Sequence, residues 1–118
     1  FRGDKLWAPE KQKQFYSGVT DVLREYIASR YEIGAMEMTT AEIFREMKPK
    51  FEDEPADRKE LLKDLKNLFE TSDFVKFAKH TASEQENAAV LPLAVRFVTQ
   101  TYQDDLAAQA EENKKEGE

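Results

Sequence analysis

Residues 9–31 of the chain read PEKQKQFYSGVTDVLREYIASRY, and this stretch decides the fold. Apolar side chains recur along it at helical spacing, with Leu23 widening the stripe that they form: Phe15, Val19, Val22, Tyr26 and Ile27. The pattern predicts one helix with a broad buried face. Pro9 suits its first turn, where the missing N–H costs no hydrogen bond, and Gly34 offers a stop.

The start of a second helix has the clearest local signal in the chain. Thr39 and Glu42 stand three residues apart before an apolar run, which is the spacing of a capping box. We therefore predict a short helix over 40–48 that Pro49 ends. Phe51, in the polar connection that follows, is expected to anchor that connection to the core.

Two more helices are predicted in the second half. A leucine-rich stripe indicates a third helix over 57–71, which Asp57 opens. Residues 74–78 fit either a half-buried strand or a single helical turn capped by Ser72, and both alternatives stay open. A fourth helix begins near Ser83, with Glu86 three residues on as its capping-box partner. A proline inside this helix, Pro92, is expected to kink or break it. Its predicted apolar residues are Val90, Leu91, Ala94, Phe97, Val98 and Tyr102.

The predicted fold class is therefore all-α: a compact four-to-five-helix domain over residues 7–103, with a winged-helix-like variant whose wing is minimal or absent. The 118 residues suit one domain. Six of the 24 acidic residues, but only two of the 18 basic ones, lie in residues 104–118. We expect that acidic tail to extend a helix and then fray.

Composition excludes several kinds of chemistry. Without cysteine the chain has no disulfide, thiolate metal site or cysteine nucleophile, and a single histidine cannot build a multi-histidine metal centre. The sequence also lacks a nucleophile elbow and a glycine-rich phosphate loop. We expect no enzymatic activity, no cofactor and no metal, and we interpret His80 as an exposed loop histidine.

Basic and acidic residues alternate along the predicted helices, a pattern typical of solvated faces, so nucleic-acid binding is disfavoured. The alternative is a winged-helix-like DNA-binding domain with helix three in the major groove. That helix would expose Arg58, Lys59, Lys63 and Lys66, diluted by Glu60 and Asp64.

Three residues are predicted partner contacts. Trp7, ahead of the first helix, either docks on the core or contacts a partner. Asp73 is interpreted first as a cap or turn residue at the end of helix three and second as a partner contact, together with Lys76.

Arg24 and Arg30 are expected to form ion pairs at the core edge, with Glu25 beside them.

Three blocks follow one another in order: Phe15-Tyr16 with LREYI at 23–27 and Arg30-Tyr31, then AMEMTTAEI at 35–43, then Leu68 with DFVKFAK at 73–79. This succession resembles the C-terminal, cytoplasm-facing segment of the BatD-like membrane proteins of Bacteroides-type aerotolerance (Bat) operons. The resemblance covers about residues 7–102. It carries no catalytic residues over to this chain.

The resemblance implies a docking or regulatory module in an envelope-associated assembly. It implies protein partners, namely a MoxR-type AAA ATPase or proteins with von Willebrand A domains. It also implies a place on the cytoplasmic face of the bacterial inner membrane, with a membrane-spanning helix upstream of Phe1. A chain that opens with phenylalanine rather than methionine is expected to be part of a longer protein.

Overall fold

In a computed structural model that describes residues 9–77 and 82–116, the chain forms four α-helices and one 3-10 helix. The helices are α1 (Pro9–Tyr31), α2 (Thr40–Lys50), α3 (Ala56–Phe77) and α4 (Glu84–Glu116), and the 3-10 helix spans Ala35–Glu37. No strand occurs among these described residues. The all-α fold class is confirmed.

Helix α1 is the central element, because it packs against α3, α4 and the 3-10 helix, while α2 packs on α3. Its buried face holds Tyr16, Leu23 and Ile27, each at most 1% exposed. Val22, predicted to be buried, is 62% exposed. The reason is its position, since one residue along a helix rotates a side chain by about 100° and moves Val22 away from the face of Leu23.

The residue that stops α1 differs from the predicted one. Glu32, not Gly34, adopts the left-handed backbone conformation that stops the helix, with a φ of 56°. Gly34 has an ordinary φ of −80° and caps the 3-10 helix. Arg24 donates to the backbone carbonyls of Ala35 and Met38, at 2.9 and 2.6 Å, and so holds this connection against α1.

The capping box at the start of α2 is confirmed. The side chain of Thr39 accepts the N–H of Glu42 at 3.2 Å, and the Glu42 carboxylate accepts the N–H of Thr39 at 2.9 Å. Hydrogen bonding from the backbone and the side chain of Thr39 to the carboxylate lowers the pKa of Glu42. The helix runs on through Pro49 to Lys50, and Phe51 is buried, as expected of an anchor.

Helix α3 is longer than predicted at its carboxyl end. Residues 74–77 form its last turn, so the strand alternative is wrong for this segment. The buried stripe continues from Leu68 through Ser72 to Val75 at helical spacing, which favours helix over strand. Ser72 is therefore an interior residue, not a cap. The helix begins at Ala56, one residue before Asp57.

Helix α4 runs unbroken through Pro92, so of the two predicted alternatives, a kink or a break, the break is wrong. The missing N–H of proline frees the carbonyl of Ala88, one turn earlier, and both residues are exposed, so water can satisfy that carbonyl. Ser83 and Glu86 form the predicted capping box, with bonds of 3.1 and 2.8 Å. The helix crosses the proposed boundary at residue 104 and ends at Glu116.

Four polar side chains fix the register of α1 against α4. Gln12 exchanges two hydrogen bonds with the backbone of Ala82, at 3.0 and 3.3 Å. Further along, Tyr16 donates to Asn87 at 2.8 Å, and the hydroxyl groups of Tyr26 and Thr101 form a hydrogen bond. Arg30 and Asp105 form an ion pair at 3.6 Å, so the partner of Arg30 is not Glu25. The two helices run in the same direction along this ladder.

Burial raises the pKa of Tyr16 and that of Tyr31 to about 12. Both folded-state values exceed the ordinary 10, so these groups stabilise the fold below pH 10 and this contribution is lost as pH rises toward 12. A titration of tyrosinate absorbance should therefore show that Tyr16 and Tyr31 ionise at higher pH than free tyrosine. The free energy of unfolding should fall over the same range.

The variant Tyr16→Phe should remove one of these two high-pH ionisations and should destabilise the fold by about 1–2 kcal/mol, because the buried Asn87 amide loses its partner. Urea unfolding at neutral pH measures the destabilisation. An unchanged high-pH ionisation in that variant would contradict the assignment.

Candidate protein-docking groove

A groove with a volume of about 850 Å³ lies between α2 and α3. We call it the α2–α3 groove. Its apolar lining comes from Phe44, Phe51 and Leu62. Phe44 also packs edge-on against Phe69 of the core, with ring centroids 5.3 Å apart, so the floor of the groove is held by the interior of the domain.

The rim of the groove is basic. Its five basic residues are exposed and come from both helices: Arg45 and Lys48 from α2, and Lys59, Lys63 and Lys66 from α3. The three lysines recur at spacings of four and three, which places them on one face of α3. Three acidic residues also line the groove: Glu52, Glu70 and Asp73.

The acidic and basic residues that alternate in the α3 sequence separate in space. Asp64 faces α4, where Arg96 donates to it at 3.4 Å. Arg58 also turns to α4, and its Nε lies 2.7 Å from Asp104. The alternation therefore does not describe a uniformly mixed surface, because helix packing sends Asp64 to α4 and the lysines to the groove.

Arg58 binds Asp104 through two nitrogens, Nε at 2.7 Å and Nη2 at 3.0 Å. This hydrogen bonding holds the pKa of Asp104 below its ordinary value and raises that of Arg58. Arg58 is thus only 18% exposed and engaged by α4. Its predicted place on a DNA-facing surface is wrong.

Asp73 lies at one end of the groove, and its Oδ2 accepts a hydrogen bond from Thr40 Oγ1 at 2.7 Å. Beyond this bond is a second hollow of about 780 Å³, which Phe74 and Phe77 line. These two rings are 59% and 78% exposed. The Asp73–Thr40 bond thus joins α3 to the start of α2 between two open surfaces.

The structure describes two of the three predicted partner contacts, Asp73 and Lys76. Asp73 lies on the groove, but it is inside α3, so its interpretation as a cap at the helix end is wrong. Lys76 is half-buried, with its Nζ 5.5 Å from the Phe77 ring centroid. Trp7 and His80 lie outside the described residues. Arg45 and Lys48 were missed, although their spacing of three on one helix face was a usable signal.

Within residues 9–77 and 82–116, no group of three or more His, Asp or Glu side chains is close enough to hold a metal ion. In the same part of the chain, no helix has the length and apolar character needed to cross a bilayer. No family model, curated protein or solved structure matches the chain.

The Thr40–Asp73 bond should contribute about 1–2 kcal/mol of coupling energy, because a buried hydroxyl donates to a carboxylate. A double-mutant cycle of Thr40→Val and Asp73→Ala, read by urea unfolding, measures that coupling. The cycle cancels the effect of each substitution on helix propensity. Asp53→Ala, at an exposed position, should show no coupling to Thr40→Val. Additive effects of Thr40→Val and Asp73→Ala would contradict this role for the bond.

Proposed function

We propose that the chain is a non-enzymatic protein-interaction module whose α2–α3 groove binds an acidic amphipathic helix of a partner protein. The observation that carries this proposal is an apolar floor in a groove that is lined by five basic and three acidic side chains. In a groove that binds a helix, the apolar floor contacts the apolar face of the bound helix. Charged residues on the rim of the groove favour bound helices that have residues of the opposite charge beside that apolar face. Here the rim selects acidic residues.

The local charge is informative because the chain as a whole is acidic, with a formal net charge of −6. Basic residues gathered on one surface of an acidic protein attract an acidic partner and raise its association rate. Asp73 and Glu70 at one end of the groove limit this attraction to the part lined by the lysines. The partner helix is therefore expected to place its acidic residues beside Lys59, Lys63 and Lys66.

DNA binding is the second candidate function, because Lys59, Lys63 and Lys66 share one face of α3. Two observations favour the peptide over DNA. Arg58 is held by Asp104 of α4, so it does not add its charge to the face that DNA would meet. The apolar floor also has no counterpart in phosphate recognition.

The resemblance to the BatD-like proteins supports a narrower form of the proposal. In that form the partner is the MoxR-type AAA ATPase or a von Willebrand A-domain protein of the same operon. The module would act on the cytoplasmic face of the bacterial inner membrane, as the portion of a single-pass membrane protein exposed there. This form rests on the order of the three sequence blocks.

A binding titration tests the groove. The probe is a fluorescent amphipathic peptide of about five helical turns, with leucine and phenylalanine on one face and glutamate on the other. The double variant Lys63→Glu, Lys66→Glu should weaken binding by at least about tenfold, because two attractive charges become repulsive. A charge-matched control, Lys11→Glu with Lys13→Glu on the exposed face of α1, should bind like the unaltered chain.

Three results would contradict the peptide proposal: no binding, equal loss in the control, or equal affinity for a peptide with lysine in place of glutamate. A DNA duplex of about two turns serves as the second ligand. Binding of that duplex, falling steeply with salt, while the peptide fails to bind would favour the DNA-binding candidate. Pull-downs from cells that express the operon proteins test the narrower form, and the double variant should lose any partner that the unaltered chain recovers.

A further inference from the structure

Helix α4 is unusual for this chain because it has few charged residues over six turns. Between Ala88 and Ala110 only three residues are charged, and each pairs with another helix: Arg96 with Asp64, Asp104 with Arg58, and Asp105 with Arg30. Charged residues make up 36% of the whole sequence. A helix segment with so few charged residues in so charged a chain is typical of a covered surface.

Large apolar side chains form a stripe on this helix. Leu91, Val95, Tyr102 and Leu106 are 52%, 61%, 54% and 46% exposed. Their spacings of four, seven and four residues place them within about 60° of one another around the helix. We call these four residues the α4 stripe. It is about 22 Å long, at 1.5 Å per residue.

The α4 stripe is symmetric about its own midpoint, which lies between Val98 and Thr99. Leu91 lies as far before this midpoint as Leu106 lies after it, and the same holds for Val95 and Tyr102. A second copy of α4 that runs in the opposite direction therefore meets the stripe with Leu91 opposite Leu106 and Val95 opposite Tyr102. Self-complementarity of this kind is what a two-fold interface requires.

We propose that the chain self-associates as an antiparallel dimer in which the α4 stripes of two copies pack together about a two-fold axis between Val98 and Thr99. The stripe itself contains no charged residue, and its charged neighbours Arg96 and Asp105 are paired with other helices, so its burial removes no unpaired ion from water. Val22 of α1, 62% exposed, lies on the same side of α1 as Tyr26, which packs against Phe97 of α4. This residue extends the apolar surface beyond α4.

The surface area of the α4 stripe limits the affinity of the dimer. A stable interface buries roughly 800 Å² on each partner, and four half-exposed side chains supply only part of that area. We therefore expect a reversible monomer–dimer equilibrium with a dissociation constant in the micromolar range. The α2–α3 groove belongs to other helices and is not needed for this association.

Sedimentation equilibrium of the full chain tests the dimer. The variants Val95→Glu and Tyr102→Lys should each weaken it by at least about tenfold, because each places a charge in the interface twice. Ala107→Glu, an exposed substitution on another side of α4, is the matched control and should leave the dimer unchanged. Circular dichroism shows whether each variant is folded.

The chain that carries both Val95→Glu and Tyr102→Lys decides the orientation. In the antiparallel dimer each introduced carboxylate faces the introduced ammonium of the other copy, so association should recover at least about fivefold over the single variants. In a parallel dimer like charges face each other, and association should not recover.

Disulfide trapping gives an independent readout, because the chain has no cysteine of its own. A mixture of Leu91→Cys and Leu106→Cys chains should form mixed disulfide dimers on mild oxidation, while either chain alone should not. A monomer at all concentrations, a dimer that survives Val95→Glu, or efficient cross-linking of Leu91→Cys chains alone would each overturn the proposal. So would a monomeric Val95→Glu chain that is strongly destabilised, since another part of the same chain would then cover the stripe.

Discussion

The register of α1 against α4 determines most of what this domain presents to solvent. Polar pairs 70, 71 and 75 residues apart in sequence set that register, from Gln12 and Ala82 to Tyr26 and Thr101. A shift of one residue would rotate every side chain of α4 by about 100° and would leave buried donors unpaired. Apolar packing tolerates some sliding, whereas these hydrogen bonds do not. The polar ladder therefore selects one arrangement among several that would bury similar apolar area.

The same register distributes charge between the two sides of α3. Because α4 presents Asp104 and Arg96 to α3, Arg58 and Asp64 are neutralised there. The lysines of α3 that face the other way line the α2–α3 groove, together with three acidic residues. The acidic protein thus has a locally basic surface because each charged residue of α3 faces a particular neighbouring helix. The order of charged residues along the sequence does not predict this surface.

Local sequence rules predicted the local features well. The two capping boxes, at Thr39 and Ser83, depend on residues three positions apart, and both form with the predicted partners. The predicted range of α1, residues 9–31, matches the observed helix, although Glu32 and not Gly34 stops it. Contacts within a few residues of one another are visible in a sequence, since helical periodicity fixes the geometry between them.

The errors have a tertiary origin. The last turn of α3 resembles a strand in composition, yet it is helical because Val75 continues a buried stripe and Thr40 bonds Asp73 from another helix. Pro92 does not break α4, because its lost hydrogen bond faces water.

Part of the candidate site could be predicted from the sequence, since the three lysines of α3 have helical spacing. Their separation from the neighbouring acidic residues could not, because it depends on how α4 packs, and the sequence has no periodic pattern that gives the register of α4. A polar residue such as Gln12 or Asn87 likewise has no pattern that distinguishes it from a surface residue. Its partner lies some seventy residues away, and only the folded chain brings the two together.

The α2–α3 groove and the α4 stripe both depend on which charged residues form ion pairs between helices. Long-range pairing uses the charges of α4 to hold α1 and α3, and the α4 stripe itself contains no charged residue. Five basic residues of α2 and α3 that have no role in this pairing line the groove. A charged groove attracts its partner over a distance of about a Debye length, whereas an uncharged stripe acts only on contact. The same ion pairs that stabilise the fold therefore separate a surface suited to an acidic partner from one suited to an identical copy.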